Sequence, residues 1–230
     1  MNEIKKILTL IFVLWSLQIY AQDKNKSETD YKRIVTERAE KIVKNLNISD
    51  TSKAIIVRDI IANQYQVLND FYEVKNANLK AIAKDNSKSK ADSIAKIYTS
   101  DSENLLTQIH KDYLKNLRKE LSKEQVEGVK NGMTYGVFPN TFRAYQEMMP
   151  DLTKKQKKQI YNYLYEAREH AMDAESSEKK HAWFGKYKGR INNYLSKEGI
   201  DMKEVSLAWE KRIREAEQAK KNVPKSSVNN

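Results

Sequence analysis

The chain contains no cysteine. That absence removes disulfide frameworks, thiolate metal sites, thiol nucleophiles and lipid attachment at a cleavage-site thiol. An oxidising compartment is allowed by it and not demanded. Proline occurs 3 times and glycine 6 times in 230 residues, too seldom for a protein built from strands and tight turns. Alternating apolar and polar runs are missing as well, so no strand is predicted. There is no Gly-x-Ser-x-Gly elbow, no phosphate-binding glycine loop and no His-Glu-x-x-His pair, and nothing calls for a cofactor. Acidic residues are in deficit, 31 against 42 basic ones, giving a net charge of +11.

What is present begins with a secretory layout. A basic start (Lys5, Lys6) precedes an apolar run from Ile7 to Tyr20, with a small residue ahead of the expected cut at Ala21-Gln22. The run falls short of the roughly 20 apolar residues of a membrane span. A cleaved signal peptide over 1–21 is therefore expected, followed by a periplasmic or secreted chain with no stable membrane anchor. Loss of Lys5, Lys6 and Glu3 with the leader takes the net charge from +11 to +10. An exported basic protein meets anionic glycans, envelope polymers or acidic proteins rather than nucleic acid. A plain solvated lysine surface accounts for the charge equally well.

Lys, Glu, Ala, Leu and Ile dominate the remainder, and the apolar residues recur at helical spacing, so the fold class is all-α: a single-domain bundle of six to eight helices over 22–221, with a frayed tail at 222–230. Helices are predicted from about Glu28 to Leu46, from a cap at Ser49-Asp50 to about Lys84, and from about Ala91 to Leu121. Ser122 with Gln125 and Thr153 with Gln156 each form a capping box behind a leucine, and start two more helices. Between them the run 131–140 (NGMTYGVFPN) holds two glycines and a proline and is expected as an irregular loop, a second place to look for function. A short helix from Thr141 to Met149, one from Thr153 to Ala174, one stopped by Gly199 and one capped by Asp201 complete the chain.

The helix that follows Ser176 is the most telling segment. Phe184, Tyr187, Ile191, Tyr194 and Leu195 share one side and read as core. Trp183, Lys186, Arg190 and Asn193 form one stripe beside it; His181, Gly185, Lys188 and Asn192 form another, with Gly189 between. Two glycines in a helix cost about 1 kcal/mol each against alanine. Either they admit another helix at close range, or they let a ligand approach the backbone while Trp183 stacks and Lys186 and Arg190 hold a carboxylate. Tyr135 and Arg143 are candidates on the loop side. Glu166, His170 and Asp173 share a helix face and are the candidate metal ligands, against their reading as ordinary solvated surface. His181, with Glu169 or Tyr135, is the candidate acid–base pair.

Three runs carry a resemblance: Lys130-Asn131-Gly132-Met133-Thr134-Tyr135-Gly136; Glu166-Ala167-Arg168-Glu169 with Ala171-Met172-Asp173-Ala174; and the stretch from Lys180 through Trp183 and Arg190 to Leu195. Together they resemble the domain-of-unknown-function 3826 family of exported bacterial proteins, over nearly the whole mature chain. The resemblance carries no established activity. It implies a setting in polysaccharide utilisation in Bacteroidetes-type bacteria, where a basic aromatic surface would face uronic-acid glycans. The Leu-x-x-x-Gln pieces at Leu121 and Leu152 are also similar to small periplasmic helical chaperones of the Spy and CpxP type. The functional expectation is an accessory protein binding an anionic glycan or an envelope protein through the Trp183 and Arg190 surface. A glycan-active enzyme and an envelope-stress chaperone are the alternatives.

Overall fold

The structure, a computed structural model, describes residues 28–222, with side chains to residue 218. The expected leader, its cut at Ala21-Gln22 and the tail beyond Asn222 lie outside the described residues. Those residues are all-α, as expected, with no strand among them. The helices are α1 over 28–44, α2 Thr51–Asp85, α3 Lys88–Glu120, α4 Lys123–Met133, α5 Val137–Met148, α6 Lys154–Met172, α7 Ser177–Lys197 and α8 Met202–Asn222. None is long and apolar enough to cross a membrane.

The starts are set where the side chains can cap. Asp50 accepts from Lys53 N at 3.1 Å and opens α2. Both capping boxes form: Gln125 N reaches Ser122 Oγ at 3.2 Å while Ser122 N reaches Gln125 Oε1 at 3.1 Å, and Thr153 with Gln156 repeats the pattern ahead of α6. Each satisfies two amides that the first helical turn leaves without a carbonyl.

The expected irregular loop over 131–140 shrinks to a three-residue turn, Thr134 to Gly136. Asn131 and Gly132 continue α4, and Pro139 sits in the first turn of α5. A first-turn proline loses no hydrogen bond, because its missing N–H would have had no helical partner there.

The chain divides after Val129 into two compact units. In the first, the long α2–α3 hairpin and α1 bury Val35, Ala39, Val57, Ile61 and Leu117, each at 5% exposure or less. Tyr31 Oη donates to the Tyr65 carbonyl, and Gln125 Nε2 to the Leu46 carbonyl, each at 3.1 Å. In the second, α6 and α7 pack as a pair through Ile160, Leu164, Ala167, Phe184, Tyr187, Ile191 and Leu195, with Phe138 and Tyr145 of α5 closing the same core. The core side read from the α7 sequence is the side that is buried. This second unit carries the candidate site.

Candidate functional site

The site starts from a short turn. Asn131 O accepts from Thr134 N at 3.2 Å and from Gly136 N at 2.8 Å, and Thr134 Oγ1 donates to Lys130 O at 2.8 Å. This winds the chain so tightly that Tyr135 and Gly136 both take left-handed backbone, at φ 58° and 67°. Glycine adopts that geometry freely; a tyrosine there is strained by about 1 kcal/mol or more. The Tyr135 ring stands in solvent, 54% exposed. It lies flat on His181 of α7, with ring centres 5.5 Å apart and planes 14° apart.

Beneath this turn two cations are buried. Lys130 and Arg168 have side chains 2% and 1% exposed. They share one carboxylate: Lys130 Nζ lies 2.9 Å from Glu169 Oε2, and Arg168 Nη2 lies 3.3 Å from Glu169 Oε1. Arg168 Nη1 also donates to Asn131 Oδ1 at 2.7 Å. A buried charge is tolerated only when it is paired and hydrogen-bonded in this way. The same cations sit over rings, Arg168 at 4.9 Å from Phe138 and 5.3 Å from Tyr165, and Lys130 at 5.5 Å from Tyr165.

From Tyr165 the aromatic surface runs along α6. Tyr165 stacks with Tyr161 at 6.5 Å and 20°, and Tyr161 meets Phe138 and Phe142 edge-on at 5.0 and 5.5 Å. Edge-to-face packing fixes ring orientation, yet Tyr161 and Tyr165 remain 42% and 39% exposed. Exposed Lys154 and Lys158 lie on the same α6 stripe, at i and i+4 with the tyrosines at i+7 and i+11. The result is a ledge of exposed tyrosines, rigidly seated, with two lysines in line.

The Trp183 stripe has another occupation. Trp183 stacks on His170 at 4.3 Å and 13°, with Lys186 Nζ 4.7 Å from its ring centre. Arg190 lies 4.4 Å over Tyr187 and 3.8 Å from Glu166 Oε1, which also accepts from Tyr187 Oη. Burial first, then the hydrogen bond to Glu166, pushes the Tyr187 phenol up to about 12. Trp183 and Arg190 thus cross the α6–α7 seam, where the sequence suggested a recognition surface, while Lys186 meets Trp183 within α7 and Asn193 is simply exposed.

One further expectation is corrected. Glu166, His170 and Asp173 do not assemble: Glu166 serves Tyr187 and Arg190, His170 serves Trp183, Asp173 is buried beyond the end of α6, and no group of three His, Asp or Glu side chains is gathered among the described residues. Glu169 is shared by Lys130 and Arg168, one at each oxygen. Of the residues considered with His181, Tyr135 is stacked on its ring.

The other stripe divides in two. Lys188 and Asn192 line an open groove with residues of α5 and α8, where Tyr145 Oη donates to Asn192 Oδ1 at 2.8 Å. Gly185 and Gly189 face open space, with no atom within 4 Å of where a Cβ would stand. The packing account of these glycines is therefore not met. Arg143 is bonded to Asn140 at 3.1 Å and lies 3.7 Å from Glu147.

Sequence reading missed the ledge. Tyr161 and Tyr165 were visible as an i, i+4 pair in line with two lysines, and that spacing was the available signal. Lys130 and Arg168 left none, since the surface is the default place for a cation. The chain matches the model of the family described as protein of unknown function (DUF3826) over residues 32–215, and belongs to that family. No curated protein matches it.

Proposed function

For this member of the family we propose an exported accessory protein that binds an anionic polysaccharide along the ledge of Tyr161 and Tyr165. One observation carries the reading: exposed, rigidly held tyrosines follow Lys154 and Lys158 on a single stripe of α6. Sugar rings offer C–H faces that stack on tyrosine, and uronate carboxylates suit the two ammonium groups. Tyr135, stacked on His181, is a further exposed ring in the same unit. The basic balance of the chain and its secretory start agree with a polyanion met outside the cytoplasm.

The test is affinity electrophoresis through gels containing polygalacturonate, with a neutral galactan as control. Retardation in the acidic polymer, weakened about three- to tenfold by each of Tyr161→Ala and Tyr165→Ala with helical circular dichroism unchanged, is the expected result. Equal mobility with and without polyuronate would refute it. Export predicts a periplasmic form beginning at Gln22, read by intact mass.

A second reading, a glycan-active enzyme, is favoured by one observation: the strained Tyr135 is held flat on His181 at an exposed position. Backbone strain concentrates at working sites. Release of oligosaccharide from the polymer, abolished by His181→Ala while binding persists, would establish it; no product from any acidic polymer would remove it.

A further inference from the structure

The groove between α5, α7 and α8 lies on a different side of α5 from the residues that build the ledge. Phe138 and Phe142 pack toward α6, whereas Asn140, Ala144 and Tyr145 line the groove. Its volume is about 430 Å³, within the range of about 300–1,000 Å³ typical of small-ligand sites. That is room for one or two sugar rings and far too little for a folded partner.

Its polar groups are biased toward donation. Asn192 Oδ1 is occupied by the Tyr145 hydroxyl at 2.8 Å, which leaves the Nδ2 amide of Asn192 to donate. Asn140 Oδ1 is occupied by Arg143 Nη2 at 3.1 Å, which leaves Asn140 Nδ2 to donate likewise. Ser206 is the exception, because its Oγ donates to the Met202 carbonyl at 2.8 Å and so can only accept from a ligand hydroxyl. Lys188 brings the one charge in the lining, and it is a cation. Trp209 and Met202 of α8 supply the apolar wall, and an indole can pack against a sugar ring. Tyr145 is itself 6% exposed and its phenol is pushed up by burial to about 12, so it stays a neutral donor that orients Asn192.

We propose that this groove is a second binding site, for a single anionic sugar, whose acid group meets Lys188, whose ring oxygens and hydroxyls accept from Asn140 and Asn192, and whose apolar face lies on Trp209. A carboxylate and a phosphate satisfy the same donors. The site is independent of the ledge, and neither needs the other to be occupied.

The experiment is ¹H–¹⁵N spectroscopy of the mature chain titrated with galacturonate, galactose 6-phosphate and galactose, following the indole and asparagine side-chain signals. Trp209 and Trp183 indoles are told apart by Trp209→Phe. Saturable shifts of the Trp209 indole and of the Asn140 and Asn192 amides with either anion, at least tenfold weaker with galactose, are expected. Comparing the two anions tells a sugar acid from a sugar phosphate. Lys188→Met should abolish the preference for anions, and Tyr145→Phe should weaken binding by freeing Asn192 Oδ1. The Tyr161→Ala, Tyr165→Ala double variant should bind these sugars normally, and Lys188→Met should keep its retardation by polygalacturonate. No saturable shift with either anion, or equal shifts with galactose, would overturn the assignment whatever the polymer result.

Discussion

Gly185 and Gly189 stand two turns inside α7 with open space where a side chain would be. A helix gains about 1 kcal/mol when such a glycine becomes alanine, and here nothing blocks the added methyl. Gly185→Ala and Gly189→Ala should therefore each raise the melting temperature, by about 2–4 °C for a chain of this size, as scanning calorimetry would record. A fall in either would mean that the bare backbone is used in a contact the free chain does not show. The tyrosines give a second prediction at this scale. Tyr145 and Tyr187 are raised from 10.0 to about 12. Both phenols stay protonated in the folded chain where the unfolded chain would release the proton. Their stabilisation is thus complete below pH about 10 and is lost as pH climbs from about 10 toward 12. Urea midpoints should fall steeply across that window, and Tyr145→Phe with Tyr187→Phe should flatten the fall. Residue-level chemistry was the least legible part of the sequence. Trp183 and Arg190 were conspicuous because they are large and charged, but seam packing uses those properties as readily as recognition does, and only the positions of His170, Tyr187 and Glu166 decide between them.

At the scale of elements, the sequence was far more explicit. Ser122 and Thr153 mark the starts of α4 and α6 because the capping box is a local device, complete within four residues. The run 131–140 was read as a longer loop than it is because two glycines and a proline were weighed together; Pro139 in a first turn breaks nothing, and only Gly136 has the backbone geometry glycine favours. How α4 is tied to α6 could not be read, since it rests on residues 39 apart in sequence. Glu169 makes that tie, pairing at once with Lys130 and Arg168, whose own side chains are almost wholly buried. Glu169→Gln would take a shared carboxylate charge away from two buried cations, a change that costs about 3–5 kcal/mol where a buried pair is broken. Glu166→Gln, which removes an exposed partner of Arg190, should cost no more than about 1 kcal/mol through the ion pair. Paired urea unfolding curves would show the difference, and equal costs would mean that the Glu169 network contributes little to stability.

On the scale of the whole molecule, the question is whether polyanion binding follows the total charge or the α6 stripe. The net charge of +11 is the balance of 42 basic and 31 acidic residues spread along the sequence. A diffuse field of this kind would attract any polyanion and fade with salt, because the screening length falls from about 30 Å at 0.01 M to about 8 Å at 0.15 M. The stripe predicts something narrower. Lys154 and Lys158 lie within two turns of Tyr161, close enough to hold a carboxylate on the same stretch of polymer that stacks on the rings. Replacing both with glutamine removes only two of the positive charges, so a diffuse field would hardly notice. If the stripe does the binding, Lys154→Gln with Lys158→Gln should remove most of the salt dependence of polygalacturonate affinity and leave a weaker, salt-tolerant remainder carried by the tyrosines. That remainder should vanish when Tyr161→Ala and Tyr165→Ala are added. Retardation measured across a series of salt concentrations separates the two cases: an unchanged slope in the glutamine variant would assign the attraction to the overall charge and not to the ledge.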